Sequence, residues 1–104
     1  MEKFNINNST FFIKENSFLA RIATWKLKGD NVAMVLGNTI HLYGVTTQQF
    51  LTNAKWVRHE LCHIEQYKQH GFMVFLFNYL WESIKVGYYK NKFEVEAREA
   101  EATE

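Results

Sequence analysis

Two runs of β-branched and large apolar residues, Val32 to Leu36 and Thr39 to Tyr43, are separated by Gly37-Asn38 alone. So short a link leaves the chain little choice but to turn back on itself, and Gly and Asn accept the backbone angles that a two-residue turn demands. The pair is expected to form an antiparallel hairpin closed by Gly44. Around it the apolar spacing turns helical. Phe18, Leu19, Ile22, Ala23 and Leu27 recur on one stripe, with Ser17 as N-cap and Gly29-Asp30 as a stop. Thr46 or Thr47 caps a short turn through Phe50 and Leu51, which leads into a longer helix running to about His70 and ending at Gly71. Phe72 to Tyr89 reads as another helix, and Phe93 to Ala102 as a last short one with Phe93, Ala97 and Ala100 on its stripe. Phe12 and Ile13 form either a short strand or an arm against the core. The expected fold class is α+β, mostly helical, with a small antiparallel sheet.

The chain has 104 residues, 47% of them hydrophobic and 16% aromatic, enough for one packed core and too few for two. A single domain over residues 1–104 is expected, without repeats or linkers. Twelve Lys and Arg against 11 Asp and Glu leave a net charge of +1, which gives nucleic acid nothing to bind. Cys62 is the single cysteine and the polar amino terminus has no apolar secretion signal, so a reducing, cytoplasmic setting is expected. The longest apolar run, Phe72 to Trp81, falls well short of the roughly 20 residues that span a bilayer.

The chemistry is concentrated in HELCH, residues 59 to 63. On a helix His59 and His63 are i and i+4, so their rings project side by side, and Glu60 stays on the same face. Val57, Leu61 and Ile64 form an apolar stripe opposite, so the core can hold the helix while the histidines face a cleft. Two imidazoles suit a zinc ion, which in catalytic sites keeps one position for water. A neighbouring carboxylate can take that water's proton, which assigns His59 and His63 as ligands and Glu60 as general base. One protein ligand is then missing, and the candidates downstream are Glu94, Glu96, Glu99, Glu101 and His70. His70 lies two turns beyond His63, too far along the axis. Glu94 and Glu96 flank the stripe of the last helix, and periodicity does not choose between them.

The stretch WVRHELCHIEQY, followed about thirty residues later by FEVEAREAE, resembles the gluzincin metallopeptidases, in which a glutamate from a later helix joins HExxH in an ExxA frame. It looks most like small bacterial zincin-like domains whose motif continues as HExxHxxQ, with Gln66 at the last position. The HExxH match is specific and the ExxA match weak, and together they cover about residues 32 to 102. The resemblance implies a zincin-like fold, one Zn2+ per chain and, because the ExxA frame falls on Glu94 and Ala97, Glu94 as the third ligand. Many gluzincins carry an aspartate where this chain has Arg98, so the carboxylate that usually accepts a hydrogen bond from a ligating histidine is missing at this position. The resemblance further implies that Thr39 to Tyr43 is the sheet edge along which an extended peptide would lie.

Among the remaining residues, Tyr67, Tyr43, Tyr88 and Tyr89 are candidate oxyanion donors, though a packing role is the stronger expectation for each. His41 is read as a sheet-surface residue, Cys62 as a small buried one and Trp56 as structural. Phe72 to Trp81 is read as a core helix behind the site, with an interfacial helix followed by Lys85, Lys90 and Lys92 as the alternative. The functional expectation is a zinc-dependent hydrolase acting on a peptide or protein substrate. The contrasting one is a non-enzymatic module in which zinc supplies folding energy and the apolar helix docks a partner protein or membrane surface.

Overall fold

The computed structural model describes residues 2–27 and 29–102. Among them are four strands and five helices: β1 (Glu2–Ile6), β2 (Ser9–Lys14), α1 (Phe18–Leu27), β3 (Val32–Leu36), β4 (Thr39–Tyr43), α2 (Thr47–Leu51), α3 (Ala54–His70), α4 (Phe72–Lys90) and α5 (Lys92–Ala100). The fold class is α+β, as the apolar spacing predicts.

The strands lie in one sheet in the order β1-β2-β4-β3. The β3–β4 hairpin forms as expected, with Leu36 opposite Thr39 across the two-residue turn. The sheet is not purely antiparallel, however, because β2 runs parallel to β4. The chain leaves β2, crosses through α1, lays β3 at the far edge and returns as β4 into the centre. A crossover of this length is what parallel neighbours need. The strand Thr39–Tyr43 is therefore interior, and the edge strands are β1 and β3. Phe12 and Ile13 belong to β2, paired with β1 through Asn7-Asn8, two residues at positive φ of 52° and 66°. Asn tolerates that region better than most side chains, and an Asn pair is a hairpin signal.

One sheet face carries Phe11, Ile13, Ile40 and Leu42, which pack with Phe50 of α2 and with Val57, Leu61 and Ile64 of α3. The apolar stripe opposite the histidines thus does hold α3 against the sheet. Helix starts follow side-chain chemistry. Thr46 and Gln49 form a reciprocal capping box on α2, Asn53 accepts from the Trp56 amide at the head of α3, and Asn91 does the same for Phe93 at the head of α5.

Two helices depart from their expected burial. In α1 the stripe of Phe18, Leu19 and Ile22 faces solvent, and Ala20 is the fully buried residue. A small side chain lets the helix approach β3 and β4 closely, and Ser17 meets His41 of β4 at 2.9 Å. Leu27's side chain lies outside the described residues. In α4 only Phe75 is buried, while Met73, Val74, Phe77, Leu80 and Trp81 are exposed. The core-helix reading of this segment is wrong because α3 and α5 cover one side of α4 and, among the described residues, no further layer covers the other. Nor is Phe72 to Tyr89 one continuous helix. Gly87 interrupts it at φ 84° and ψ 167°, a conformation essentially reserved for glycine. Gly44 is equally constrained, since a Cβ there would lie 2.1 Å from the Asp30 carbonyl oxygen. Its absence lets the loop before β3 close against the end of β4.

Burial separates two isoleucines that sequence alone would treat alike. Ile64→Ala, in the core, is expected to cost about 2–5 kcal/mol in urea unfolding, whereas Ile84→Ala, at a position 77% exposed, should change stability by less than about 0.5 kcal/mol.

Candidate metal centre

Helix α3 turns His59, Glu60 and His63 away from the sheet and toward α5, whose first turn carries Glu94. Glu94 Oε1 lies 3.0 Å from His59 Nε2 and 3.1 Å from His63 Nε2. The three donor atoms fall within 4.8 Å of one another, close enough to bind one metal ion. Donors held about 2.0–2.1 Å from a tetrahedral ion are about 3.3 Å apart, near the spacing found here.

The partners on the far side of each ring settle what the Nε2 atoms present. His63 Nδ1 is 2.8 Å from Gln66 Oε1, and the Gln66 amide nitrogen donates to Phe93 O and Glu96 Oε1, which fixes the oxygen toward the ring. His59 Nδ1 is 2.7 Å from the Glu101 carboxylate. Both Nδ1 atoms face acceptors and so carry hydrogen, and each ring can offer a lone pair at Nε2 once that nitrogen is deprotonated. With both deprotonated, two nitrogen lone pairs and the Glu94 oxygen would face one another. That arrangement repels itself unless protons or a cation lie between, and it is how metal-ligating histidines are oriented by their outer partners.

Glu94 is held from behind as well. Its Oε2 accepts the Tyr79 hydroxyl proton, while Asn91, fully buried, donates to Tyr79 O and Ser83 Oγ as it caps α5. Arg58 donates through Nε and Nη2 to the Glu101 carbonyl, fastening the turn from which the Glu101 carboxylate reaches His59. Glu101 thus occupies the supporting role left open by Arg98, which instead sits 4.1 Å over the Tyr89 ring. Glu96, the alternative to Glu94, points to Gln66 and lies near Cys62 Sγ at 3.8 Å, away from the imidazole pair.

The charges respond to this crowding. Burial alone would lower the pKa of His59, but the Glu94 hydrogen bond, the Glu60 charge and Glu101 outweigh it and raise it to about 9. His63 rises for similar reasons. Burial pushes Glu60, 4% exposed, up to about 7 against the opposing pull of His63 and His59. Glu94 is buried too, yet the two histidines and Tyr79 hold it well below the carboxylate range. Tyr79 stays a firm hydroxyl donor, since burial and the Glu94 charge raise its pKa.

His59 and Glu60 open onto a cleft of about 320 Å³ whose walls include Val32 and Ala33 at the β3 edge, Trp56 and Tyr88. Tyr88, just past the Gly87 break, is the one tyrosine among the four oxyanion candidates that lines it. Tyr67 packs instead with Phe75 and Phe93. His41 meets Ser17 on the α1 side, and His70 lies against Phe75 and Phe93. Tyr79 was not legible as a site residue, and Glu101, one of the carboxylates considered as a third ligand, instead supports His59 from i+7 of Glu94, two turns along the same face.

No protein-family model, no curated protein and no solved structure matches the chain.

Two measurements follow from the geometry. Gln66→Ala and Glu101→Ala should each weaken divalent metal binding about 10- to 100-fold in competition with a chromogenic chelator. Without metal, the His59 pKa of about 9 lies above its ordinary 6.5, so its stabilisation is full below 6.5 and is lost as pH rises through 9. Glu60, raised from 4.5 to about 7, acts in the same direction at lower pH. The urea midpoint of chelator-treated protein should therefore fall from pH 5 to pH 9.5, while protein with saturating metal should lack that decline above pH 6.5.

Proposed function

We propose that the protein is a zinc-dependent hydrolase of the zincin-like type, a peptidase, with His59, His63 and Glu94 as ligands and Glu60 as general base. The observation that carries this reading is the convergence of three lone-pair donors, both imidazoles fixed from behind, with a buried carboxylate next to them that opens onto a cleft. Two nitrogens and one carboxylate oxygen form a donor set used in catalytic zinc sites. When bound, the ion would lower the pKa of a water and polarise the substrate carbonyl. Glu60 would take a proton from the attacking water and deliver it to the departing amine nitrogen. Tyr88 at the cleft wall has a hydroxyl that burial keeps protonated, which suits a hydrogen-bond donor to the developing oxyanion. An extended peptide would pair with the free edge of β3, which borders the cleft, rather than with interior β4.

The exposed apolar face of α4 favours a second reading, in which the metal pins α3 to α5 and the protein serves as a binding module. Glu60 separates the two. Zinc content and hydrolysis of a mixed peptide library should be measured for the untagged protein, Glu60→Gln and His63→Ala. The hydrolase reading expects Glu60→Gln to keep about one zinc per chain and to lose activity by about 10²- to 10⁴-fold. It expects His63→Ala to lose both. Undiminished hydrolysis by Glu60→Gln would refute the assigned base, and absence of hydrolysis from zinc-loaded wild-type protein would favour the module.

A further inference from the structure

The outward face of α4 is more ordered than scattered surface hydrophobicity. At about 100° per residue, Leu80, Met73, Ile84, Phe77, Trp81 and Val74 fall in succession within an arc of about 120°. All six are exposed, Phe77 by 74% and Ile84 by 77%, whereas Phe75, Leu76 and Tyr79 on the other side pack into the second core cluster. An uninterrupted apolar stripe of this length on a surface helix marks an interaction site. Its flanks narrow the choice of partner. Trp81 lies within the stripe, and Tyr88, Tyr89, Lys85, Lys90 and Lys92 gather toward the carboxyl end of the helix. Three lysines against Glu82 give residues 72–92 a net charge of +2 in a chain whose total is +1. Glu82 is mostly covered and paired with Lys85 at 3.4 Å, which leaves Lys90 and Lys92 as the uncompensated charges of the segment. A second copy of the chain would offer these lysines no carboxylate from its own stripe. An anionic lipid surface offers them phosphates, and amphipathic aromatics such as Trp and Tyr settle at the headgroup boundary. No helix among the described residues is long and apolar enough to cross a membrane, so the helix would lie in the interface plane.

We propose that α4 docks the protein onto the surface of an anionic bilayer through the stripe of Met73, Phe77, Leu80, Trp81 and Ile84, with Lys90 on the lipid headgroups. This does not rest on the hydrolase reading. Docking carries a spatial consequence, because α4 runs through the Gly87 break into Tyr88, a wall of the cleft. The cleft is thereby brought close to the lipid surface.

The test is co-sedimentation of the full chain with phosphatidylcholine vesicles, with and without phosphatidylglycerol, followed also by tryptophan emission. Binding is expected to the anionic vesicles, to weaken with salt and to shift the emission to the blue. Phe77→Ser combined with Ile84→Ser should reduce partitioning at least tenfold at an unchanged thermal midpoint, both positions being exposed. Lys90→Gln, which leaves the stripe intact, should reduce it about fivefold. A folded chain that stays in the supernatant with anionic vesicles would overturn the proposal. So would binding indifferent to both variants, or a concentration-dependent dimer that the serine pair abolishes while vesicles bind nothing.

Discussion

A single carboxylate oxygen, Glu94 Oε1, lies between two imidazoles, and the arrangement of the helices follows from keeping it there. The oxygen comes from α5 and the rings from α3, so the contact joins the carboxyl-terminal helix to the one that carries the core. A buried charge is tolerated only with partners around it, and Glu94 has three: the two rings and the Tyr79 hydroxyl. Each partner in turn has its own support, from Gln66 and Glu101 to the rings and from Asn91 to the Tyr79 backbone. The result is a closed polar network in which no fully buried side-chain polar atom among the described residues lacks a hydrogen bond.

Helix α3 is where the network meets the hydrophobic core. Its two faces do different work on the same 17 residues: Val57, Leu61 and Ile64 sit against the sheet, and His59, Glu60 and His63 face α5. Side-chain identity at the i, i+3 and i+4 positions decides both at once. A change that rotates or shifts α3 to repack the sheet also moves the imidazoles, so packing in the core and geometry at the cluster are set together.

That dual pattern is why α3 was the most legible part of the sequence. The stripe, the Gly71 stop and the HELCH spacing all point to one helix with one polar face, and the two-residue link does the same for the β3–β4 hairpin. Where a residue's fate depends on what lies across from it, the sequence is silent. The Asn7-Asn8 turn is a local signal, but β1 alternates weakly and its hairpin was legible only as a fragment of β2. The parallel pairing of β2 with β4 is a non-local outcome that no window of residues contains. Periodicity left Glu94 and Glu96 equivalent. What separates them is that Gln66 donates to Glu96 while Tyr79 donates to Glu94, two contacts made across helices. The apolar residues of α1 and α4 invite burial by composition, yet burial needs a facing layer, and among the described residues none covers those sides.

Asn91 gives the tail of the chain a mechanical character. One amide group, wholly enclosed, grips α4 through Tyr79 O and Ser83 Oγ with its nitrogen and starts α5 at Phe93 N with its oxygen. Through it and the Tyr79 hydroxyl, α4 acts as a splint along the segment that carries Glu94. The apolar outer face of α4 and the Glu94 carboxylate on its inner side thus belong to one braced unit, joined by a single enclosed amide and a single hydroxyl.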